Sequence, residues 1–186
     1  MYVDVGSLLK NNPVERVMLA GLLLFVLRQR YSGSFTRVVG ADTSSTALAK
    51  DVAKIAVVDH IRMVKTPAGD GSNQQVWHPD NKPLEDGDVI LHIEELVTTS
   101  SSAKLVRGGI DLANPGAKYG FVPFLPVIVD RSDPNNRLTS VGESVVLPLL
   151  QLDMQSYAAE DCPYCKVGSE AIKPKEGDNW SRLTAK

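Results

Sequence analysis

The chain has 186 residues, of which 43% are hydrophobic and 23% charged, with a formal net charge of -2. That is the composition of one globular domain with a real core, and its near-balanced charge gives no electrostatic case for nucleic-acid binding. Two cysteines are too few for a disulfide scaffold, and the longest apolar stretch, Val17 to Leu27 between Arg16 and Arg28, is too short to span a bilayer.

In chain order, Asn11-Asn12-Pro13 reads as a helix start, with an Asn cap and Pro in the first turn. The same residues, with no small-residue cleavage site downstream, argue against a signal-peptide core, so the apolar stretch is expected to be a buried helix from Pro13 to about Arg30. A cytoplasmic location follows as the default, with no membrane or nucleic-acid partner. Phe35 to Val39 reads as the first core strand, Gly40 to Ser45 as a turn, and Thr46 to Ile55 as a helix. Ala56 to Val64 reads as a second strand ending at Lys65. Thr66 to Asp88, rich in Pro, Gly, Asp and Asn, is expected to be a flexible excursion or hairpin. Strands follow at Val89 onward, Tyr119 to Asp130 and Glu143 to Leu150, with a helix opening near Ser101. Strands alternating with helices imply an α/β fold, a mostly parallel twisted sheet flanked by helices. The division expected is a single domain over 1–186, with an N-terminal segment and helix at 1–34, a core at 35–156 and a C-terminal tail at 157–186.

The stretch Val89 to Ser102 carries the most chemistry. A short β-branched run ends in adjacent acids, Glu94-Glu95, then Leu96-Val97, then five hydroxyl residues, Thr98 to Ser102. A helix beginning near Ser101 presents unpaired N–H groups and a positive dipole end, which suits a phosphate. The acids at the carboxyl end of the strand can accept hydrogen bonds from ribose hydroxyls. Strand, acids, hydroxyls and helix together suit a ribose 5-phosphate.

These residues resemble the phosphoribosyl pyrophosphate signature of the type I phosphoribosyltransferases, with Glu95 where that family has Asp and Ser100 where it has Gly. Val38 to Ala49 resembles the family loop that holds pyrophosphate, here Ala41, Asp42, Thr43 and Ser44. Val127-Ile128-Val129-Asp130-Arg131-Ser132 is similar to the orotate phosphoribosyltransferases, and the resemblance implies that Arg131 faces the pyrimidine carboxylate, a pairing that a planar guanidinium makes bidentately. The N-terminal Tyr2 to Leu9 and the tail Cys162-Pro163-Tyr164-Cys165 resemble orotate-type segments too. The resemblance implies transfer of ribose 5-phosphate from phosphoribosyl pyrophosphate to a nitrogen base, most similar to orotate, with Mg²⁺ as cofactor and a homodimer as the assembly. Glu94, Glu95 and Lys65 would be the catalytic residues. Val97, Thr98, Thr99, Ser100, Ser101, Ser102, Ala41, Asp42, Thr43, Ser44 and Arg131 would bind substrate, and no residue would be a permanent metal ligand.

A diverged, non-catalytic relative that binds a nucleotide or sugar phosphate stays open beside the enzyme, because Thr66 to Asp88 carries only Lys82 as a lysine and no lysine precedes Tyr2. His92 is expected to be a hydrogen-bonded core residue, while His60 and His78 have no partner at metal spacing. Cys162 and Cys165 form a single CxxC, readable as a turn, as half of a zinc site shared across a dimer, or as a redox pair. Trp180 is expected to anchor the tail to the core or to a second subunit.

Overall fold

The computed structural model describes residues 5–43, 45–155, 157–158, 160–169, 172, 174 and 177–184. Two helices open the chain, α1 (Val5–Asn11) and α2 (Pro13–Arg28). Asn12 separates them, and its side-chain amide donates to the Leu8 carbonyl at 2.8 Å. The strand β1 (Arg37–Val39) and the helix α3 (Thr46–Ala56) follow. Val57 ends α3 in the left-handed conformation, φ 57°. The single strand expected from Ala56 to Val64 is therefore broken. Ala56 is still helical, β2 (Asp59–Ile61) joins the sheet, and β3 (Met63–Pro67) leaves it to form an antiparallel hairpin with β4 (Asn73–Trp77). The break is at Arg62, whose backbone N–H and carbonyl are both taken by the Asn81 side chain, at 3.0 and 2.8 Å. Lys65 accordingly lies inside a hairpin strand and not at the end of a sheet strand.

The expected signature strand is also two strands, β5 (Val89–His92) and β6 (Glu94–Val97). Helix α4 (Ser101–Ala113) opens at the expected place. Next come β7 (Gly120–Phe121), β8 (Phe124–Asp130), a 3₁₀ turn at Pro134–Asn136, β9 (Ser140–Val141) and β10 (Ser144–Gln151). The tail carries two short helices, α5 (Pro163–Lys166) and α6 (Asn179–Thr184).

β5 pairs in parallel with β1 on one side and β7 on the other, whereas β6 pairs with β8. The Ile93 N–H still reaches the Val39 carbonyl at 3.0 Å, and the Val122 N–H reaches Ile90 at 2.9 Å. The strands form two four-stranded sheets, in the orders β2, β1, β5, β7 and β6, β8, β10, β9, which follow one another where β5 runs into β6 and β7 into β8. Every pair in them is parallel except β10 with β9. Alternate residues face opposite layers. Val38, Leu91, Ile93, Val122 and Val129 pack in one cluster with Leu9, Leu23, Leu27, Leu48 and Val52 of α1 to α3. Val39, Ile61 and Ile90 pack in another with Val106 and Ile110 of α4 and Met63 of the hairpin. At the amino-terminal edge of the sheet the buried Arg37 holds Asp88 at 2.9 Å and donates to the Lys82 and Pro83 carbonyls, also at 2.9 Å. That clamp fastens the long connection between β4 and β5. No helix among the described residues is long and apolar enough to cross a membrane.

Candidate active site

Chain order runs outward from β1 to β2 in one direction and from β5 to β10 in the other, so the order reverses between β1 and β5. In open α/β sheets that crevice, at the carboxyl ends of the strands, is where ligands bind. Three loops meet there: 40–45 after β1, 98–100 after β6 and 131–139 after β8.

The first loop folds back sharply. A Cβ on Gly40 would lie 2.8 Å from both the Cβ and the backbone oxygen of Ser45, so only glycine allows this approach. The fold-back delivers the buried Ser45 to the acids. Its hydroxyl donates to Glu94 Oε2 at 2.6 Å and makes a short contact with Glu95 Oε2, while the Glu95 N–H donates to Ser45 Oγ at 3.1 Å. The Asp42–Thr43 peptide is cis. Asp42 is tied to the hairpin on three sides. Its N–H donates to Gln75 Oε1 at 3.0 Å, its carbonyl accepts from Gln75 Nε2 at 2.6 Å, and its carboxylate accepts the Lys65 N–H at 3.1 Å. The charge that Asp42 brings to the loop is thus partly met by the chain's own donors. Ser44 lies outside the described residues.

Strand neighbours ordinarily face opposite sides, yet the Glu94 and Glu95 carboxylates converge on the one Ser45 hydroxyl. Glu94 is 3% exposed and turned inward; its Oε1 meets His92 Nε2 at 2.9 Å. His92, 1% exposed, sits with Nδ1 in a long 3.5 Å contact from Arg107 Nε. The tautomer that serves both neighbours carries its proton on Nε2 and donates it to Glu94. Arg107 is itself fixed by the Val141 carbonyl and Ser144 Oγ, both at 2.8 Å, and lies 4.2 Å over the Phe121 ring. Burial pushes its pKa down, against the pull of Asp111. A buried polar chain therefore runs Arg107–His92–Glu94–Ser45 and sets the inner acid rigidly, while Glu95 is half-buried at the mouth.

Two cavities are lined by the acids, and a third adjoins the first at Thr98 and Thr99. The smallest, about 60 Å³, is formed by Glu94, Leu96, Val97, Thr98, Thr99, Ser100, Ser101, Ser102 and Ala103. It lies at the start of α4, where the backbone N–H groups are unpaired within the helix. Val97 contributes through its backbone; its side chain is buried and its carbonyl accepts the Arg131 N–H at 3.0 Å. Ser100 adopts φ 65°, ψ 4°, the left-handed region, and Thr99 Oγ1 lies 3.0 Å from Ser101 Oγ. A second cavity of about 400 Å³ is lined by Ala41, Asp42, Thr43, Lys65, Gln75 and both acids. A third, about 480 Å³, lies beyond Thr98 and Thr99 and is lined by Arg131, Asp133, Asn136, Arg137 and Thr139. The Arg131 Nε is buried with no hydrogen-bond partner, whereas Asp130 is turned into its own loop, accepting from the Ser132 N–H and hydroxyl at 2.8 and 2.6 Å.

All the expected site residues that the structure describes are brought around this one crevice. Ser45, Gln75, Arg107 and Arg137 were not anticipated. Ser45 follows the expected loop directly, and Arg107 lies on the α4 face two turns beyond Ser100, so spacing carries a faint signal for both. Gln75 and Arg137 reach the site through tertiary contacts that spacing does not encode. No group of three or more His, Cys, Asp or Glu side chains among the described residues is placed to hold a metal.

No family model matches the chain. Among curated proteins it is similar to the orotate phosphoribosyltransferase of Pelotomaculum thermopropionicum, 35% identical over 91 residues, which cover 49% of this chain and 43% of that protein. It is likewise similar to the protein of the same name from Thermotoga maritima, 37% identical over 92 residues, covering 49% and 44%. The matches thus span less than half the length of these relatives. Among solved structures, orotate phosphoribosyltransferase from Aeropyrum pernix superposes with a TM-score of 0.53 at 18% identity, over 77% of this chain and 75% of that one. UMP synthase from Leishmania donovani gives 0.52 at 17% identity, over 81% of this chain and 30% of that one. The fold is that of the type I phosphoribosyltransferases, and the sequence resemblance to the orotate-type members holds over half the chain.

Proposed function

We propose that the chain is a single phosphoribosyltransferase-like domain of orotate type, acting in the cytoplasm. It transfers ribose 5-phosphate from phosphoribosyl pyrophosphate to orotate, giving a nucleoside monophosphate and pyrophosphate. The observation that carries this reading is a row of three differently furnished cavities: a loop cavity with a lysine and a hydroxyl-lined pocket at a helix start, which share Glu94, and an arginine-lined cavity that adjoins the pocket at Thr98 and Thr99.

In this reading the 5-phosphate occupies the nest of Thr98 to Ser102 and takes backbone N–H groups from the start of α4. Glu95, half-buried at the mouth, accepts from the ribose hydroxyls, and Glu94 acts behind it. The Ser45 hydroxyl has one proton and cannot donate to both carboxylates at once, so acceptor capacity remains for a polyol. Ala41, Asp42 and Thr43 face the pyrophosphate, and Lys65, exposed on the hairpin, adds positive charge. Arg131 Nε is an unsatisfied buried donor beside the cavity left for the base, and a carboxylate or carbonyl of the base satisfies it. Attack by the base nitrogen on the anomeric carbon expels pyrophosphate through an oxocarbenium-like state, so positioning and charge neutralisation supply most of the acceleration. The sparse carboxylates fit a Mg²⁺ held mainly by the diphosphate, which Glu95 at the mouth would face. When bound, that ion neutralises the leaving diphosphate.

One observation favours the second reading, a non-catalytic protein that binds a nucleotide or sugar phosphate. Lys82, the one lysine between Thr66 and Asp88, pairs with Asp59 at 3.0 Å, so the hairpin arm brings only Lys65 to the loop cavity. A homodimer reconciles this with catalysis only where the partner's copy of the loop releases Lys82 from Asp59 toward this cavity. Calorimetry with magnesium phosphoribosyl pyrophosphate tests the shared core of both readings. Thr99→Glu places a carboxylate in the phosphate nest and is expected to weaken binding by about tenfold or more, roughly 1.4 kcal/mol. Unchanged affinity would remove the 5-phosphate from Thr98 to Ser102.

A further inference from the structure

Cys162 and Cys165, the only cysteines in the chain, stand outside the site described above. They share one turn, α5, with Cys162 at its cap, Pro163 at its first helical position and Cys165 within it. Proline has no backbone N–H and a fixed φ, so the turn is preset before the cysteines are placed. Helix geometry puts residues three apart at Cα separations of about 5 Å, inside the range a disulfide spans. Both cysteines are free thiols, Cys162 partly buried and Cys165 exposed. The two side chains are close enough for each to shift the other's ionisation. No third ligand joins them in a group able to hold a metal among the described residues. The edge-on contact of Tyr164 with Tyr157, 6.4 Å between centroids, holds the turn against the segment that leaves β10.

We propose that Cys162 and Cys165 form a reversible dithiol–disulfide pair, with Cys162 the attacking sulfur, Cys165 the resolving sulfur and a small disulfide of the glutathione class as co-substrate. The asymmetry lies in the turn. Cys162 receives the backbone N–H and the thiol of Cys165, with Lys166 nearby, and these hold its pKa below the ordinary thiol value. Cys165, as the thiol that donates, is pushed up. The sulfur with more thiolate attacks first. The Cys162 thiolate attacks one sulfur of glutathione disulfide, forming a mixed disulfide and releasing one glutathione thiolate. Cys165 then gives its proton to solvent, and its sulfur attacks the Cys162 sulfur and releases the second. Both released thiolates take up protons, so the two electrons and two hydrogens lost by the dithiol appear in two molecules of reduced glutathione.

The test equilibrates the full chain in glutathione buffers of rising oxidised-to-reduced ratio, quenches with acid, alkylates remaining thiols and weighs the products. The wild type is expected to convert to a monomeric species without alkylated cysteine, and to revert when reduced glutathione is added. Cys165→Ser should accumulate one glutathione adduct at Cys162, and Cys162→Ser should form its adduct about tenfold more slowly. Circular dichroism of each variant, matched to the wild type, separates loss of a thiol from loss of the fold. The proposal is overturned by thiols that stay alkylatable at every ratio, by equal adduct rates in the two variants, by disulfides formed only between chains, or by a co-purifying metal that blocks alkylation.

Discussion

At the scale of single residues, Ser100 shows how sequence and geometry disagree. The backbone at this serine, φ 65°, is the conformation that glycine adopts without cost. A side chain in the left-handed region costs roughly 1–2 kcal/mol, held by the structure around it. Ser100→Gly is therefore expected to stabilise the fold by about 1 kcal/mol, a rise of roughly 2–4 °C in melting temperature, which differential scanning calorimetry would read. A lower melting temperature would show that the Ser100 side chain contributes more than its backbone costs. The candidate-site residues legible in the sequence were those that chain order places together: the acid pair, the hydroxyl run and Arg131. The Arg107–His92–Glu94–Ser45 chain was not legible beyond His92 being a core residue. Its members come from α4, β5, β6 and the first loop, and only the folded sheet brings them within hydrogen-bond reach.

At the scale of elements, the long periodic segments were legible and the partner switches were not. Pro13 marks the start of α2 and Ser101 that of α4, because first-turn residues are local signals. The expected Asn cap does not form: the Asn12 side chain turns back to the Leu8 carbonyl of α1 instead of capping α2. The division of Val89 to Val97 into β5 and β6 is not local. β1 ends at Val39, so the chain beyond His92 loses one neighbour and pairs onward with β8. The stretch from Thr66 was expected as a flexible excursion or hairpin; it contributes to the hairpin β3–β4, which packs tightly on α4. A Cβ on Gly109 would lie 2.0 Å from the Gln75 carbonyl oxygen, whereas one on Gly108 meets nothing within 4 Å. The two glycines, adjacent in one helix, should respond oppositely to alanine. Gly108→Ala gains helix propensity, up to about 1 kcal/mol. Gly109→Ala forces the hairpin away and costs about 1–3 kcal/mol. Urea denaturation of both variants would measure the difference; equal effects would show that the hairpin does not seat on α4 as described.

At the scale of the whole molecule, α2 exposes more apolar surface than packing on the sheet requires. Ala20, Leu23 and Leu27 are buried, while Met18 is 69% and Phe25 61% exposed, and Leu8, Leu19 and Leu22 join them around an apolar hollow of about 710 Å³. Trp180, expected to anchor the tail, is itself 52% exposed. A patch of this kind commonly marks an interface. The proposed homodimer would bury it, and light scattering at micromolar concentration should give twice the chain mass of 20.2 kDa. Met18→Glu with Phe25→Glu should return the monomer mass, and a monomer in the unaltered chain would refute the assembly. The central claim is the transfer itself, and the most direct measurement follows pyrophosphate release when the chain is incubated with phosphoribosyl pyrophosphate, Mg²⁺ and orotate. The account predicts pyrophosphate formed in step with loss of orotate, slowed roughly 100-fold by Glu95→Gln. Phosphoribosyl pyrophosphate that binds but yields no pyrophosphate with orotate would contradict it and leave the chain a binding protein.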